Sequence, residues 1–227
     1  MGWPSRVLSS SIGMKWMMAL SGIVVVGFVV VHMLGNLQIF LGPEALNHYA
    51  AALRELPFQL LWIVRAVALV ALVVHVFSAA RLTRLNRAAR PVAYAVTKPV
   101  ASTYASRTMM MGGIVLFAFI VYHLAHFTFG VTNPAQFARP DAQGRPDVYT
   151  MVVLGFTNPL VSAAYVLAMV PLALHISHGA SSLFQSLGIS HPKYDPFLRS
   201  VGPFLATVIF AGNVSMPVAV LAGLVTR

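Results

Sequence analysis

Histidines are the residues of this chain whose type and position point most directly to chemistry. The sequence contains eight. His48 and His191 fall in predicted loops, and the other six fall in long apolar stretches: His32, His75, His123, His126, His175 and His178. An ionisable side chain inside a membrane span is costly, so it marks a candidate functional site. Imidazole ligates haem iron and zinc and also relays protons, so the sequence indicates metal or proton chemistry within a bilayer.

The composition agrees with a chain that lies mostly inside a membrane. Of the 227 residues, 58% are hydrophobic and 9% are charged, and the mean hydropathy is +0.79. Soluble domains carry about 25% charged residues, so an ordinary soluble enzyme, a disordered tail and a coiled coil are excluded. The sequence has no cysteine. Disulfides, covalently attached c-type haem, and iron–sulfur or zinc sites ligated by cysteines of this chain are therefore excluded as well.

The excess of basic residues is interpreted as a sign of membrane topology rather than of nucleic-acid binding. Fifteen Lys and Arg oppose five Asp and Glu, which gives a net charge of +10. Basic residues concentrate at the cytoplasmic ends of membrane spans, so no nucleic-acid partner is expected.

Five apolar stretches exceed the ~20 residues needed to cross a bilayer. They predict an all-α transmembrane bundle of five helices in a single domain, residues 1–227, with spans at about 14–40, 57–80, 107–130, 152–182 and 198–223. The fourth is predicted as one helix although Asn158–Pro159 lies near its start.

The distribution of basic residues predicts the orientation of the bundle. The N-terminal segment and the second–third and fourth–fifth loops carry Arg6, Lys15, Arg81, Arg84, Arg87, Arg90, Lys98, Arg107, Lys193 and Arg199. The other two loops balance their arginines with acidic residues. The positive-inside rule therefore puts the N-terminus in the cytoplasm and the C-terminus outside. A multi-pass protein of a bacterial cytoplasmic membrane is expected.

Depth in the membrane sorts four of the histidines into two layers. At 1.5 Å per residue, His32 lies about 25 Å beyond Lys15, and His123 lies about 24 Å beyond Arg107. On the second span His75 lies about 9 Å from the cytoplasmic edge, and His175 ends near the same face. The predicted layers are His32 with His123 and, roughly 15 Å nearer the cytoplasm, His75 with His175.

Two interpretations of these layers remain open. Two imidazoles at one level can ligate a b-type haem from opposite sides, so two layers would form a two-haem path for electrons across the membrane. Alternatively, the helical pairs His123/His126 and His175/His178 could bind zinc or relay protons in a transporter. The predicted spans contain no Asp or Glu, which are usual in ion pathways, and the spacing therefore favours two haems.

An ordered set of short motifs resembles the cytochrome b membrane anchor of succinate dehydrogenase, in the five-helix, di-haem b558-type family shared with some fumarate reductases. The motifs cover nearly the whole chain and are Ser10–Lys15, Met18–Gly22, His32–Asn36, Gly42–Asn47, Leu56–Phe58, Arg65, His75, Asn86–Pro91, Ala105–Thr108, His175–Gly179, Ser182 and Gln185–Gly188.

The resemblance implies a function. Such a subunit anchors a flavoprotein subunit and an iron–sulfur subunit at the cytoplasmic face, and passes electrons from succinate through two non-covalent haem b groups to a quinone, usually menaquinone. The absence of cysteine fits, because the iron–sulfur clusters would belong to a partner. A two-haem cytochrome b of another dehydrogenase or a hydrogenase is an alternative.

The family's axial ligands correspond to His32 and His123 for the outer haem and to His75 and His175 for the cytoplasmic-side haem. This agrees with the layers derived from depth. His126 and His178 are then alternates, or hydrogen-bond partners of a propionate or a quinone.

Further residues are weaker candidates. Arg65, the one charge away from the ends of the predicted spans, could pair with a propionate of the outer haem. Lys15, Arg81 and Arg107 could meet propionates of the inner haem. A cytoplasmic quinone site could use Trp16 and Ser11, and an outer one could use Arg65; the cytoplasmic site is preferred.

Overall fold

A computed structural model describes residues 10–90, 92, 102–137 and 139–227. Within these residues lie seven α-helices: α1 (Ser11–Asn36), α2 (Pro43–Glu55), α3 (Leu60–Ala88), α4 (Tyr104–His123), α5 (Val148–Phe156), α6 (Pro159–Ser186) and α7 (Asp195–Leu221). Short 3₁₀ segments, Leu37–Leu41 and Pro57–Gln59, continue α1 and precede α3, and a π-helical turn, Leu124–Thr128, continues α4.

The five-helix transmembrane architecture is confirmed. Five helical segments of the described residues are long and apolar enough to span a membrane: Ser11–Leu41, Pro57–Ala88, Tyr104–Thr128, Pro159–Ser186 and Asp195–Leu221. The second is longer than predicted, because Arg81, Arg84 and Arg87 continue α3 beyond its apolar part. Arg6 and Lys98, which contribute to the predicted orientation, lie outside the described residues.

The predicted start of the fourth span, at 152, is wrong. Residues 152–156 belong to the separate helix α5, and α6 begins at Pro159. Asn158 precedes a proline and adopts extended backbone, as the proline ring requires. Its side chain accepts a hydrogen bond from the Leu160 N–H at 3.0 Å and so caps α6. Ser162 then donates to the Phe156 carbonyl at 2.7 Å, which fixes the corner between the two helices.

Two connecting loops meet at the end of the bundle that carries α2. This end is called the α2 end, and the opposite end, with Lys15, Arg81, Arg107 and Arg199, the basic end. Asn47 on α2 is 2% exposed; it donates to Asp147 at 3.0 Å and accepts from the Tyr149 N–H at 2.9 Å. Its buried amide therefore holds α2 against the start of α5.

An arginine reinforces the same junction. Arg145 makes two hydrogen bonds of 2.7 Å to the Glu44 carboxylate and one of 2.8 Å to Asp141. The bidentate arrangement fixes geometry as well as charge. The hydrogen bond from Arg145 lowers the pKa of Glu44. Desolvation raises the pKa of Asp141, but the backbone N–H and guanidinium of Arg145 outweigh it and bring that pKa below its usual value.

The buried core lies on one side of the bundle. One cluster joins α5, α6 and α7 at the α2 end and includes Val153, Phe156, Tyr165 and Met216. A second cluster joins α1, α6 and α7. Helix α4, in contrast, buries only Leu116, and α3 buries only Ala71, Ser78 and Leu82. Within the described residues α4 packs on α6, but not closely on α1 or α3.

Helices α6 and α7 pack closely at Gly202. A Cβ at this position would overlap the carbonyl oxygen of Ser177 and the hydroxyl of Ser181. Ser181 itself donates to the Arg199 carbonyl at 2.8 Å. Small residues at a helix crossing allow backbones to pack directly, as in many membrane bundles.

We expect Gly202→Ala to destabilise the protein by about 1–3 kcal/mol, the usual cost of overpacking, because the Ser177 carbonyl belongs to backbone and cannot move aside. Thermal unfolding in detergent measures the effect. Gly179→Ala is the matched control, since nothing lies within 4 Å of its added Cβ. Equal unfolding temperatures for the two variants would contradict the proposed crossing.

Arg145→Gln tests the junction between the loops through pH. A carboxylate whose pKa is lowered by folding stabilises the protein at pH values above its usual pKa, which is 4.5 for Glu44 and 3.8 for Asp141. This stabilisation is lost as the pH falls through the lowered pKa. The wild type should therefore unfold at a higher temperature than Arg145→Gln at neutral pH, and the difference should vanish in acid below these values. A difference independent of pH would refute this account.

Candidate functional site

The first histidine pair joins α1 to α4. The rings of His32 and His123 have centroids 5.8 Å apart, with planes at 86°. Phe28 stacks on the His32 ring with a centroid separation of 5.6 Å, and Phe119 packs at 6.0 Å from the His123 ring. Aromatic side chains thus support both imidazoles at this level.

The second histidine pair joins α3 to α6. The centroids of His75 and His175 lie 6.0 Å apart. Nδ1 of His75 lies 3.1 Å from the carbonyl oxygen of Met18 on α1. Because a carbonyl only accepts, Nδ1 carries the hydrogen, and Nε2 of His75 keeps a free lone pair.

Glycines on two other helices border the second pair. A Cβ at Gly22 on α1 would lie 3.4 Å from the His75 ring, and a Cβ at Gly113 on α4 would lie 4.0 Å from the His175 ring. Any larger side chain at these positions would enter the space beside the imidazoles. All four helices, α1, α3, α4 and α6, therefore shape this level of the bundle.

The two pairs lie at separate depths with a repeated spacing. Ten residues separate Gly22 from His32 on α1 and Gly113 from His123 on α4. Ten residues also separate His175 from Tyr165, which touches His123. At 1.5 Å per residue, each interval corresponds to about 15 Å along the membrane normal. Three helices thus give the same separation of the two levels.

Tyr165, which was not among the candidates predicted from the sequence, contacts two histidines at the depth of the first pair. The Tyr165 hydroxyl lies 3.0 Å from Nδ1 of His126 and 3.3 Å from Nδ1 of His123. A phenol has one hydrogen, so it donates to one imidazole and accepts from the other. The sequence carried a usable signal, because Tyr165 lies ten residues before His175, at the depth where an inward polar group would reach the first pair.

The π-helical turn places His126 beside this hydroxyl. The turn begins directly after His123, and the Phe129 N–H bonds to the Leu124 carbonyl at 2.8 Å. His126 is 3% exposed and stacks on Phe127 at 3.9 Å. The structure therefore brings His126 to Tyr165, whereas His123 faces His32. Single π turns often occur at functional positions in helices.

The geometry of both pairs fits a haem iron held between two imidazoles. An iron with an imidazole nitrogen about 2 Å away on each side sets two facing ring centroids about 6 Å apart, close to both observed separations. The loose packing of α4 against α1 and α3, and the glycines beside the second pair, fit a flat group between the helices. Within the described ranges, no three His, Asp or Glu side chains form a cluster suited to another metal ion.

The weaker candidates lie apart from the pairs. Arg65 is exposed; its guanidinium carbon lies 4.8 Å from the Trp62 ring centroid, and it lines a cleft of about 240 Å³ with Arg54 and Trp62. At the basic end, Arg107 donates to the Ser102 carbonyl at 2.7 Å. The remaining candidates, Ser11, Lys15, Trp16 and Arg81, are exposed. Among the described contacts, none joins these residues to a histidine pair, and His178 stays without an assigned role.

Comparisons of this chain with protein-family models, with curated proteins and with solved structures found no match. The geometry of the histidine pairs and the pattern of the sequence therefore carry the functional argument.

We expect Tyr165→Phe to destabilise the protein by about 1 kcal/mol, because it leaves the buried Nδ1 of His126 and that of His123 without their partner. Thermal unfolding in detergent is the measurement. Tyr122→Phe is the control, since the Tyr122 ring stacks on the His126 ring and packs against the Tyr165 ring. If both variants lost the same stability, the hydroxyl would have no special role.

Proposed function

We propose that this protein is the di-haem cytochrome b membrane-anchor subunit of a bacterial succinate dehydrogenase, which passes electrons from an iron–sulfur subunit to menaquinone or another quinone. The observation that carries the proposal is the presence of two histidine pairs at two depths, each joining two different helices with ring centroids about 6 Å apart. A single pair would serve one cofactor; two pairs about 15 Å apart suit stepwise transfer across the membrane.

In this proposal His32 and His123 hold the haem nearer the α2 end, and His75 and His175 hold the haem nearer the basic end. Each bound haem b supplies one-electron oxidation and reduction. The protein fixes the ring orientation and tautomer of the ligands. The Met18 carbonyl accepts from Nδ1–H of His75, so that Nε2 would be the nitrogen free to hold the iron. Tyr165 accepts from Nδ1–H of His123 and donates its own hydrogen to His126.

The basic end is proposed to face the cytoplasm. Lys15, Arg81, Arg84 and Arg107 are exposed there, as the positive-inside rule expects. A flavoprotein subunit and an iron–sulfur subunit would dock on this face, so that electrons from succinate enter at the His75–His175 level.

Two alternatives are less well supported. A histidine-lined metal or proton transporter needs further ligands or carboxylates, and the described residues hold neither a three-ligand cluster nor an acidic residue inside a span apart from Asp195 at the start of α7. A two-haem cytochrome b of another dehydrogenase or a hydrogenase shares the same pairs. The motif resemblance to succinate dehydrogenase anchors favours the first proposal over this one.

Reduction by substrate distinguishes these proposals. Membranes containing the protein with its partner subunits should show a b-type absorption change on addition of succinate, and malonate should block it. Reduction by dithionite alone, with no response to succinate, would assign the cytochrome to a different dehydrogenase. No b-type signal with either reductant would overturn the haem proposal itself.

Each single-histidine variant should remove one haem, and the two variants of one histidine pair should remove the same haem. His75→Ala and His175→Ala should each abolish the same haem, and His32→Ala and His123→Ala the other, because each haem needs both ligands. A redox titration followed by visible spectra identifies which haem is lost. His48→Ala, in α2 outside the spans, is the control and should retain both haems.

The two span histidines without a proposed ligand role provide a sharper comparison in the same experiment. His126→Ala and His178→Ala should retain two haems. Loss of a haem from His178→Ala but not from His175→Ala would reverse the proposed ligand on α6.

A further inference from the structure

The cleft of about 240 Å³ beside Arg65 lies at the α2 end of the bundle, where the chain turns from α2 into the second span. Its walls come from the end of α2, the turn and the first two turns of α3: Arg54, Leu56, Gln59, Leu61, Trp62 and Arg65. The neighbouring side chains of Phe58 and Ile63 are 91% and 51% exposed. Because both belong to a membrane-spanning segment, they face lipid, and the cleft lies at the boundary between hydrocarbon and headgroups.

Two arginines contribute to this cleft without a carboxylate to neutralise them. Both ion pairs of the described residues belong to Arg145, and Glu55, which follows Arg54 in the sequence, takes part in neither. Desolvation lowers the pKa of Arg54, and the positive charge of Arg65 lowers it further. The two cations therefore lie close enough to repel each other, and an anion between them would relieve the repulsion.

Most of the N–H groups of these arginines are available to a ligand. Arg54 donates from Nη1 to the Ala50 carbonyl of its own helix at 3.0 Å. Arg65 makes no hydrogen bond within the described residues; its guanidinium carbon lies 4.8 Å from the centroid of the Trp62 ring, in a cation–π contact. Residues three apart share one face of a helix, so the indole holds the guanidinium at the cleft. A guanidinium has five N–H groups, and few of the ten are used.

The free donors and the uncompensated charge specify the chemistry of a ligand. An arginine within a membrane span is costly unless it reaches an anion or the headgroup layer. Phosphate carries the negative charge and offers several acceptor oxygens in the geometry that guanidinium groups match. In a membrane the local source of phosphate is the phospholipid headgroup. Leu56, Leu61 and the Trp62 ring supply apolar surface for the glycerol and the upper acyl carbons of such a lipid.

We propose that this cleft binds the headgroup of an anionic phospholipid in the leaflet at the α2 end, with Arg54 and Arg65 donating to its phosphate oxygens. A zwitterionic headgroup carries an ammonium group near its phosphate, which the guanidinium groups repel, so the site favours a lipid such as phosphatidylglycerol. One arginine comes from α2 and the other from α3, so the bound lipid joins these two helices. The site is separate from the histidine pairs and does not depend on bound haem.

Native mass spectrometry of the full-length protein in detergent tests the site, with dioleoylphosphatidylglycerol and dioleoylphosphatidylcholine as the probes. The wild type should bind its first phosphatidylglycerol at least about fivefold more tightly than its first phosphatidylcholine, as expected for basic side chains that meet an anionic lipid. Arg54→Gln and Arg65→Gln should each remove most of this preference. Both side chains are exposed, and each variant is measured separately, so either one that unfolds as cooperatively as the wild type decides the test.

Arg139→Gln is the matched control, because it removes the same charge from an exposed arginine outside the cleft. Arg139 belongs to the same end of the bundle, where its carbonyl accepts from the Asp147 N–H at 2.8 Å. This variant should keep the wild-type preference for phosphatidylglycerol. An equal loss of preference in Arg139→Gln would mean that net charge, and not the cleft, attracts the lipid, and would overturn the proposal.

Two further results would also overturn it. One is equal affinity of the wild type for the two lipids, or an unchanged preference in both cleft variants. The other concerns free phosphate as the source of the anion. If inorganic phosphate raises the unfolding temperature of the wild type as much as phosphatidylglycerol does, and raises that of Arg54→Gln less, the cleft is a site for a free anion rather than for a lipid.

Discussion

The absence of water in the bilayer is the constraint on which the arrangement of this bundle depends. A polar ring nitrogen in hydrocarbon needs a partner within the protein or on a ligand. The structure gives His75 the Met18 carbonyl and gives His123 and His126 the Tyr165 hydroxyl. For His75 and His123 the partner occupies one ring nitrogen, and each of these rings also packs against a histidine on another helix. The depth of each histidine, rather than the sequence of loops between them, therefore determines which helices are joined.

The helices differ in how much of their surface is buried against one another. Helices α1, α6 and α7 pack together through a buried cluster that includes Met33, Ile176 and Ile209, and Gly202 lies at a close contact between α6 and α7. Helices α3 and α4 bury few side chains of their own, and each carries one histidine of a pair. In the proposed function, coordination of two irons would join these helices to the rest of the bundle. Cofactor binding and assembly of the membrane domain would then be coupled, as is common for proteins that bind a group only when folded.

The sequence was sufficient to predict the spans and the depths of the histidines, because uninterrupted apolar length and a fixed rise per residue determine both. It was insufficient for the break before Pro159: the apolar run crosses it, and the corner depends on the Asn158 cap and the Ser162 hydroxyl. The π turn after His123 has no signature in composition. Tyr165 was predictable in principle from its ten-residue offset to His175 but not from its residue type, since a tyrosine in a span can face the lipid as well as the bundle.

The central claim is that each chain holds two haems between four histidines. The most direct test is a pyridine haemochrome determination on the wild-type protein, purified after expression with its partner subunits and an ample supply of haem. Two b-type haems per chain are predicted. No haem would contradict the account, and one haem per chain would mean that one of the two histidine pairs has a different role.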